Sequence, residues 1–318
     1  MRGVNQDLAM STTIDVFHEG ELAVQERAGS VAQGRNSGRM IAATIIPGAI
    51  KFVRKQPFLV TGSVDQHQNL WASIIVGSTG FVVAEPHTLD LDLSDALCID
   101  ADPLWRNLAS DPRIGVLVID LRSRARLRVN GRVSFPTDQK LHVDVEQAYP
   151  NCPQYIQRRN FRPAHDKETS AEVASGTSLN HEQRQWIASA DTLFVASEHP
   201  SSGIDASHRG GNPGFIQIVN PARLRIPDYA GNGMFNTLGN FVTNPRAGLV
   251  VPDFERGRTL QLTGRVEALW DVEDPHNETG GTGRYWDFEI ERWVQIENSL
   301  PGSSEFLDYS PHNPVTSI

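Results

Sequence analysis

The chain has 318 residues, 39% hydrophobic and 21% charged, with a net charge of −9 from 29 Lys plus Arg against 38 Asp plus Glu. That length allows one large or two ordinary domains with a self-sufficient core. The charge argues against a general binder of nucleic acid or anionic membrane, though not against a local basic patch.

In chain order, residues 1–15 are polar and lack the apolar stretch of a secretory leader. No segment approaches the ~20 apolar residues that span a bilayer, so a cytoplasmic location and no membrane partner are expected. His18-Glu19-Gly20-Glu21 has metal-ligand residue types but no partners at zinc spacing, so it reads as a helix start and no metal is expected. A helix over 48–56 leads into β-prone strands at 58–64, 70–76 and 81–84, with turns between them. Asp102 and Pro103 cap a short helix over 103–109. Strands follow at 114–121 and 126–133. Arg122, Arg124, Arg126, Arg128 and Arg132 fall on even positions there, which alternation would place on one face. They suit either a solvated edge or an anionic ligand. Residues 151–159 read as a short helix carrying Cys152, a buried structural thiol. With Cys98 it makes two free thiols in a reducing compartment. The polar stretch 162–179 reads as an exposed linker. Helices over 180–190 and 234–242 and strands at 193–197, 214–219, 249–253 and 259–270 complete the second half. The tail 302–318 resembles the linker.

The two halves repeat. Leu70-Trp71-Ala72-Ser73 through Phe81 aligns with Ile204-Asp205-Ala206-Ser207 through Phe215 at an offset of 134. Residues 108–133 align with 241–266 at an offset of 133, with nine identities in 26 positions, among them Pro112-Arg113, Gly115 and Gly131-Arg132-Val133. The expected organisation is an N-terminal segment (1–55), a first β-barrel copy (56–161), the linker (162–179), a second copy (180–300) and the tail (301–318). Short strands with few helices make the fold class mainly β, with peripheral helices.

Ligand chemistry concentrates in the second copy. In Ser207-His208-Arg209-Gly210-Gly211, paired glycines let backbone approach a ligand, Ser207 donates a hydroxyl, and Arg209 offers a fork for phosphate. A hairpin turn with an incidental Arg fits the same residues. Gly231-Asn232-Gly233-Met234 reads as opening a helix whose N-terminus is an anion site, with Asn232, Asn236, Thr237 and Asn240 as polar groups for a ribityl chain or flavin edge. A capped helix with a polar face fits these equally. The first copy carries Ser73-Ile74-Ile75-Val76 at the matching place and cannot grip a phosphate, so one competent site per chain is expected.

These motifs, from Ser207 to Phe215, from Pro227 to Asn232, Asn236 to Asn240 and Leu262-Thr263-Gly264-Arg265, resemble the pyridoxamine 5′-phosphate oxidase-like, FMN-binding split-barrel family. Phe17-His18-Glu19-Gly20-Glu21 and Asn151 to Gln157 resemble a long, internally duplicated subfamily, here without a ferredoxin-like domain. The resemblance implies two tandem split barrels forming an intrachain pseudo-dimer. It implies FMN bound between them, with Ser207, His208, Arg209, Gly210, Gly211, Asn232, Met234, Asn236, Thr237 and Asn240 around the cofactor. Trp71 or the strand near Asn130 would wall the ring. The implied function is an FMN-dependent oxidoreductase acting on a small molecule, with NAD(P)H or oxygen as redox partner and a homodimer as a further option. The alternatives are a flavin carrier without turnover and a haem- or deazaflavin-binding relative. No catalytic base stands out.

Overall fold

The computed structural model describes residues 16–164 and 171–316. Before the first sheet come α1 (Glu19–Arg27), α2 (Val31–Gly38) and α3 (Pro47–Val53). The first sheet is built from β1 (Phe58–Val64), β2 (Leu70–Val76), β3 (Val82–Ala84) and β4 (Thr88–Asp92), then, after α4 (Pro103–Ser110), β5 (Arg113–Asp120), β6 (Ala125–Thr137) and β7 (Lys140–Pro150). β8 (Arg158–Pro163) and β9 (Val173–Gly176) lead to α5 (His181–Ser189). The second sheet holds β10 (Thr192–His199), β11 (Gly203–Gly210), β12 (Gln217–Asn220) and β13 (Arg223–Pro227), then, after α6 (Asn236–Thr243), β14 (Arg246–Asp253), β15 (Arg258–Leu269) and β16 (Tyr285–Ile296). β17 (Gly302–Asp308) is the last strand among the described residues.

The fold is mainly β and antiparallel, as expected. The two large sheets share one strand order: β2-β1-β5-β6-β7-β4-β3 and β11-β10-β14-β15-β16-β13-β12. Position for position, the aligned segments 108–133 and 241–266 occupy equivalent elements, α4-β5-β6 and α6-β14-β15. Contacts between the sheets are reciprocal: β2 packs on β14 and β15, β11 on β5 and β6, and β1 on β10. That is the pattern of a twofold, self-complementary interface.

The repeated glycines show why. A Cβ on Gly115 would stand 2.5 Å from the Ile204 carbonyl oxygen, and one on Gly248 would stand 2.5 Å from the Trp71 Cα. Each sheet uses its glycine to admit the other sheet's edge strand, β11 or β2, at backbone distance. Each sheet keeps its own core, around Val116, Val118 and Leu127 in one and Leu249, Val251 and Leu260 in the other. A third cluster, with Val60, Leu117, Phe194 and Val250, lies between them.

Four local expectations fail. Residues 151–157 form no helix, because Tyr155 sits at φ 66 and Pro153 interrupts the segment. In the 162–179 stretch, Val173–Gly176 pairs with Ile296–Trp293 at the edge of β16, and residues 165–170 lie outside the described residues. The tail contributes β17, which pairs with β8. Finally, Gly231–Gly233 does not open α6. Phe235 precedes the helix in the left-handed region (φ 58), so the helix begins at Asn236. Neither cysteine forms a disulfide. Among the described residues, no helix is long and apolar enough to cross a membrane.

Candidate functional site

β11 is an edge strand of its sheet, and its free edge faces β6 of the other copy. A cleft enclosing ≈ 840 Å³, open mouth included, opens where they meet. Alternation along β11 sends Ser207 and Arg209 to one face and His208 to the other. β6 brings Arg126 and Arg128, the loop 151–155 brings Cys152 and Tyr155, and the stretch before α6 brings Tyr229, Asn232 and Phe235.

Arg128 ties the two copies together. Its Nε donates to the Ala206 carbonyl at 3.1 Å, Nη1 to the Tyr149 hydroxyl at 2.8 Å, and Nη2 to the Ser207 hydroxyl. It also lies 3.3 Å from Asp205, which accepts from Asn130 (2.7 Å) and Asn240 (2.9 Å). Burial works against the charge on Arg128, but Asp205 and Tyr149 outweigh it and raise its pKa. Ser207 and Thr237 share a hydroxyl contact of 3.0 Å.

Arg126 and Arg209 are different. The Nε of each is buried without a hydrogen-bond partner. Arg209 donates from Nη1 to the His208 carbonyl at 3.1 Å, and its nearest carboxylate, Asp228, is 3.9 Å away. Burial, then Arg209 and Arg128, push the pKa of Arg126 down to about 9. Burial and Arg128 lower that of Arg209, against the pull of Asp228. His208 is buried with both ring nitrogens unpaired, and burial followed by Arg126 and Arg209 holds it well below the ordinary imidazole range. Buried donors cost free energy until something accepts from them. The chemistry of this donor set therefore fits an anion.

The mouth is narrowed by the Tyr155 hydroxyl donating to the Ala230 carbonyl at 2.8 Å, and the Tyr155 and Tyr229 rings lie 4.8 Å apart. Behind the cleft, Asn236 donates to Glu21. Glu21 is buried, and desolvation followed by Asp205 raises its pKa to about 7.

Of the residues expected around a cofactor, Ser207, His208, Arg209, Gly210, Asn232, Asn236 and Thr237 line the cleft. Gly211 instead sits under Phe215. Met234 packs with Phe17 and Tyr149, and Asn240 stands behind the wall on Asp205 and Ser197. Trp71 does not reach the cleft. It is buried at the matching place on the opposite copy, donating to Asp65 at 3.3 Å beneath the Arg292 guanidinium. The arginine stripe splits: Arg126 and Arg128 enter the cleft, whereas Arg124 (φ 57) lies in a turn and binds Asp308, and Arg132 pairs with Glu146. Tyr155, Tyr229 and Phe235 were missed as wall residues. A segment expected to be helical hid the first.

The equivalent place on the other copy is closed. Ile75 stands for Arg209, Thr259 for Arg126 and Gln261 for Arg128. Ser73 donates to Asp102 at 2.6 Å, and Gln261 donates to both, at 3.1 and 2.8 Å. All three are buried.

His18, Glu19 and His199 place ligand-type atoms within 4.8 Å of one another. Both histidine Nδ1 atoms accept backbone N–H groups, His18 from Gly20 and His199 from Ser201 and Ser202. Their Nε2 atoms are therefore protonated and donate to Asn240 and Glu19. His18 is the N-cap of α1, so the segment begins a helix, the reading given to it in the sequence.

No protein-family model and no curated protein matches the chain. Among solved structures, HupZ from Group A Streptococcus matches at 13% identity over 39% of this chain and 98% of its own, with a TM-score of 0.30. A Clostridium acetobutylicum protein of the pyridoxinephosphate oxidase family, related to general stress protein 26, matches at 14% identity over 40% of this chain and 92% of its own, with a TM-score of 0.29. A FAD-binding protein from Mesorhizobium loti matches at 14% identity over 39% and 97%, with a TM-score of 0.28.

Proposed function

We propose that the chain is an FMN-dependent oxidoreductase formed by two copies of one split-barrel unit, holding a single FMN in the cleft between β11 and β6. The observation that carries this reading is the pair Arg126 and Arg209, one from each copy, with buried unpaired Nε donors in one cleft. Two guanidiniums with depressed pKa values and too few acceptors form a site that a dianionic phosphate completes. Ser207 and Thr237 add hydroxyls beside it, and Asn232 and Asn236 offer amides to a ribityl chain or ring edge. Tyr155, Tyr229 and Phe235 supply flat walls that exclude water.

When bound, FMN would supply the hydride or electron chemistry. The chain's own part is to grip, orient and shield. Glu21, with a pKa near 7 and one hydrogen bond from the cleft residue Asn236, holds a proton at its carboxyl beside the site near neutral pH. The buried, unpaired imidazole of His208 supports a second reading, in which the cleft would hold a haem. The absorbance of the co-purified ligand separates flavin from haem.

The test is FMN and riboflavin affinity by flavin-fluorescence quenching. Charge-assisted bonds contribute roughly 1.5–3 kcal/mol each, so Arg209→Ala should weaken FMN about ten- to a hundredfold. Riboflavin, lacking the phosphate, should bind weakly and almost equally to both proteins. Equal losses for both ligands would refute the phosphate assignment.

A further inference from the structure

A second groove, enclosing ≈ 1610 Å³ with its open mouth, lies between α3, the end of β5 and β8. It is separate from the cleft, yet close: Leu117 lines the cleft, while Ile119 of the same strand face and Leu121 just beyond the strand line the groove. Lys51, Lys55, Arg122 and Arg162 stand around it, all exposed and none with a carboxylate partner among the described residues. The one acid there, Asp120, already accepts from the Arg122 backbone N–H (2.9 Å) and the Ser123 hydroxyl (2.5 Å). Arg159 reaches in with Nη2 on Asp191 at 2.6 Å and with Nε and Nη1 buried and unpaired. The wall carries the half-buried rings of Phe52 and Phe161.

The repeat supplies an internal control. The same groove exists on the second copy, between α5 and the end of β14. There Gln185 takes the place of Lys51, Ser189 that of Lys55, and Glu255 that of Arg122. The scaffold therefore folds without these cations. One copy of a chain with net charge −9 has gathered unpaired cations around aromatic rings, whereas in the other groove Arg256 pairs with Glu182, and Arg258 with Glu182, Asp253 and Glu297; Arg159 borders both.

From this contrast we infer that the first-copy groove binds a nucleotide polyphosphate, its phosphates among Lys51, Lys55, Arg122 and Arg159 and its base against Phe52 and Phe161. Phosphate chemistry explains the exposed cations Lys51, Lys55 and Arg122 that stand without a carboxylate. The flat ring faces explain why the ligand carries a base, since base–aromatic stacking with nearby cations is sequence-tolerant and strong. The inference does not depend on flavin in the cleft.

The experiment uses the full chain and the fluorescent probe mant-ADP, with tripolyphosphate and single-stranded oligo(dT) as competitors. The key variant is the triple exchange Lys51→Gln, Lys55→Ser, Arg122→Glu, which installs the second copy's residues. Binding of mant-ADP should fall at least tenfold in that variant, while its melting temperature and its flavin affinity stay unchanged. Phe161→Leu should weaken mant-ADP several-fold and leave tripolyphosphate unaffected. Three results would overturn the inference. One is wild-type mant-ADP binding by the triple variant. Another is tripolyphosphate binding as tightly as mant-ADP, which leaves a bare cationic patch. The third is oligo(dT) binding more tightly than mant-ADP, which makes the groove a strand-binding surface. Loss of flavin binding alone would strike the cleft reading and not this one.

Discussion

Arg126 should oppose stability and favour ligand binding, and the substitution that separates the two is Arg126→Thr. Threonine is the residue at the matching position of the second copy, Thr259, where its hydroxyl meets Ser299 at 2.9 Å. In the ligand-free protein, burial and the charges of Arg209 and Arg128 pull the Arg126 pKa down from its ordinary value to about 9. At ~1.36 kcal/mol per unit the full displacement would be worth roughly 5 kcal/mol. Arg126 is only partly buried, and solvent screening and relaxation reduce this to about 1–2 kcal/mol. The ligand-free variant should therefore be more stable than wild type by about 1–2 kcal/mol in urea unfolding at pH 7.5. The sign with pH follows. A base whose folded pKa is depressed leaves the unfolded state with more bound protons between about 9 and the ordinary guanidinium pKa, so this term of wild-type stability rises with pH there. The advantage of the variant should shrink above pH 9. With FMN present the order should reverse, because the variant loses a phosphate contact and FMN stabilises the wild type by mass action. A ligand-free Arg126→Thr protein that is less stable than wild type at pH 7.5 would falsify the account of Arg126 as a destabilised, waiting cation.

Glu21→Gln tests the second perturbed group. A carboxyl raised from 4.5 to about 7 gives the native state extra bound protons in that window, so its contribution to stability is lost as pH rises through 7. The variant should flatten the stability profile between pH 5 and 8; an unchanged profile by urea titration would remove Glu21 from the list of buried titrating groups. Gly115→Ala and Gly248→Ala should each destabilise by about 1–3 kcal/mol, because the new Cβ meets backbone of the other copy in both cases. Gly48→Ala, with open space around it, should be neutral or slightly stabilising. Unequal losses at the first two sites, by thermal melts, would speak against a reciprocal interface. FMN titration followed by fluorescence should saturate at one per chain; two equivalents at similar affinity would show that the closed place on the other copy opens.

Much of the fold was legible because the repeat fixes more than composition does. Strand positions followed from β-prone runs, the cap at Asp102 marked a real helix start, and the helical stretch from Asn180 forms α5. The offset of Gly115 to Gly248 also carried an interface, since a repeat whose glycines pack on the partner copy places β6 of one against β11 of the other. The expectation stopped one step short. It placed Ser207 and Arg209 in the site but left Arg126 and Arg128 as an undecided stripe, although reciprocity puts those two residues opposite β11. What the sequence could not show was long-range pairing by weak strands. Val173–Gly176 and Gly302–Asp308 are polar and short, and they become strands only because β16 and β8 offer free edges. Tyr155 escaped for a similar reason: its position over the cleft depends on a left-handed backbone held by the Ser310 hydroxyl, 155 residues away.

The two copies differ most where they are structurally most alike. The amide–hydroxyl pair Asn107–Ser63 in one is matched by Asn240–Ser197 in the other, both at 2.9 Å, so helix and strand dock in the same way. One step along, Ser73 binds Asp102 and is closed by Gln261, whereas Ser207 meets Thr237 and Arg128 at the edge of an open cleft. A symmetric scaffold would carry two identical sites with a fixed relation between them. Here one place has exchanged its cations for a self-satisfied network of neutral amide, hydroxyl and a single carboxyl, whose pKa burial raises. The network pairs the Ser73 hydroxyl, both Asp102 oxygens and the Gln261 amide nitrogen with one another and leaves only the Gln261 Oε1 without a partner, so it links the two sheets without a ligand, while the cleft leaves donors open and gives up stability to keep them so. The closed place anchors the two copies, and that anchoring lets the open one hold two unpaired guanidiniums.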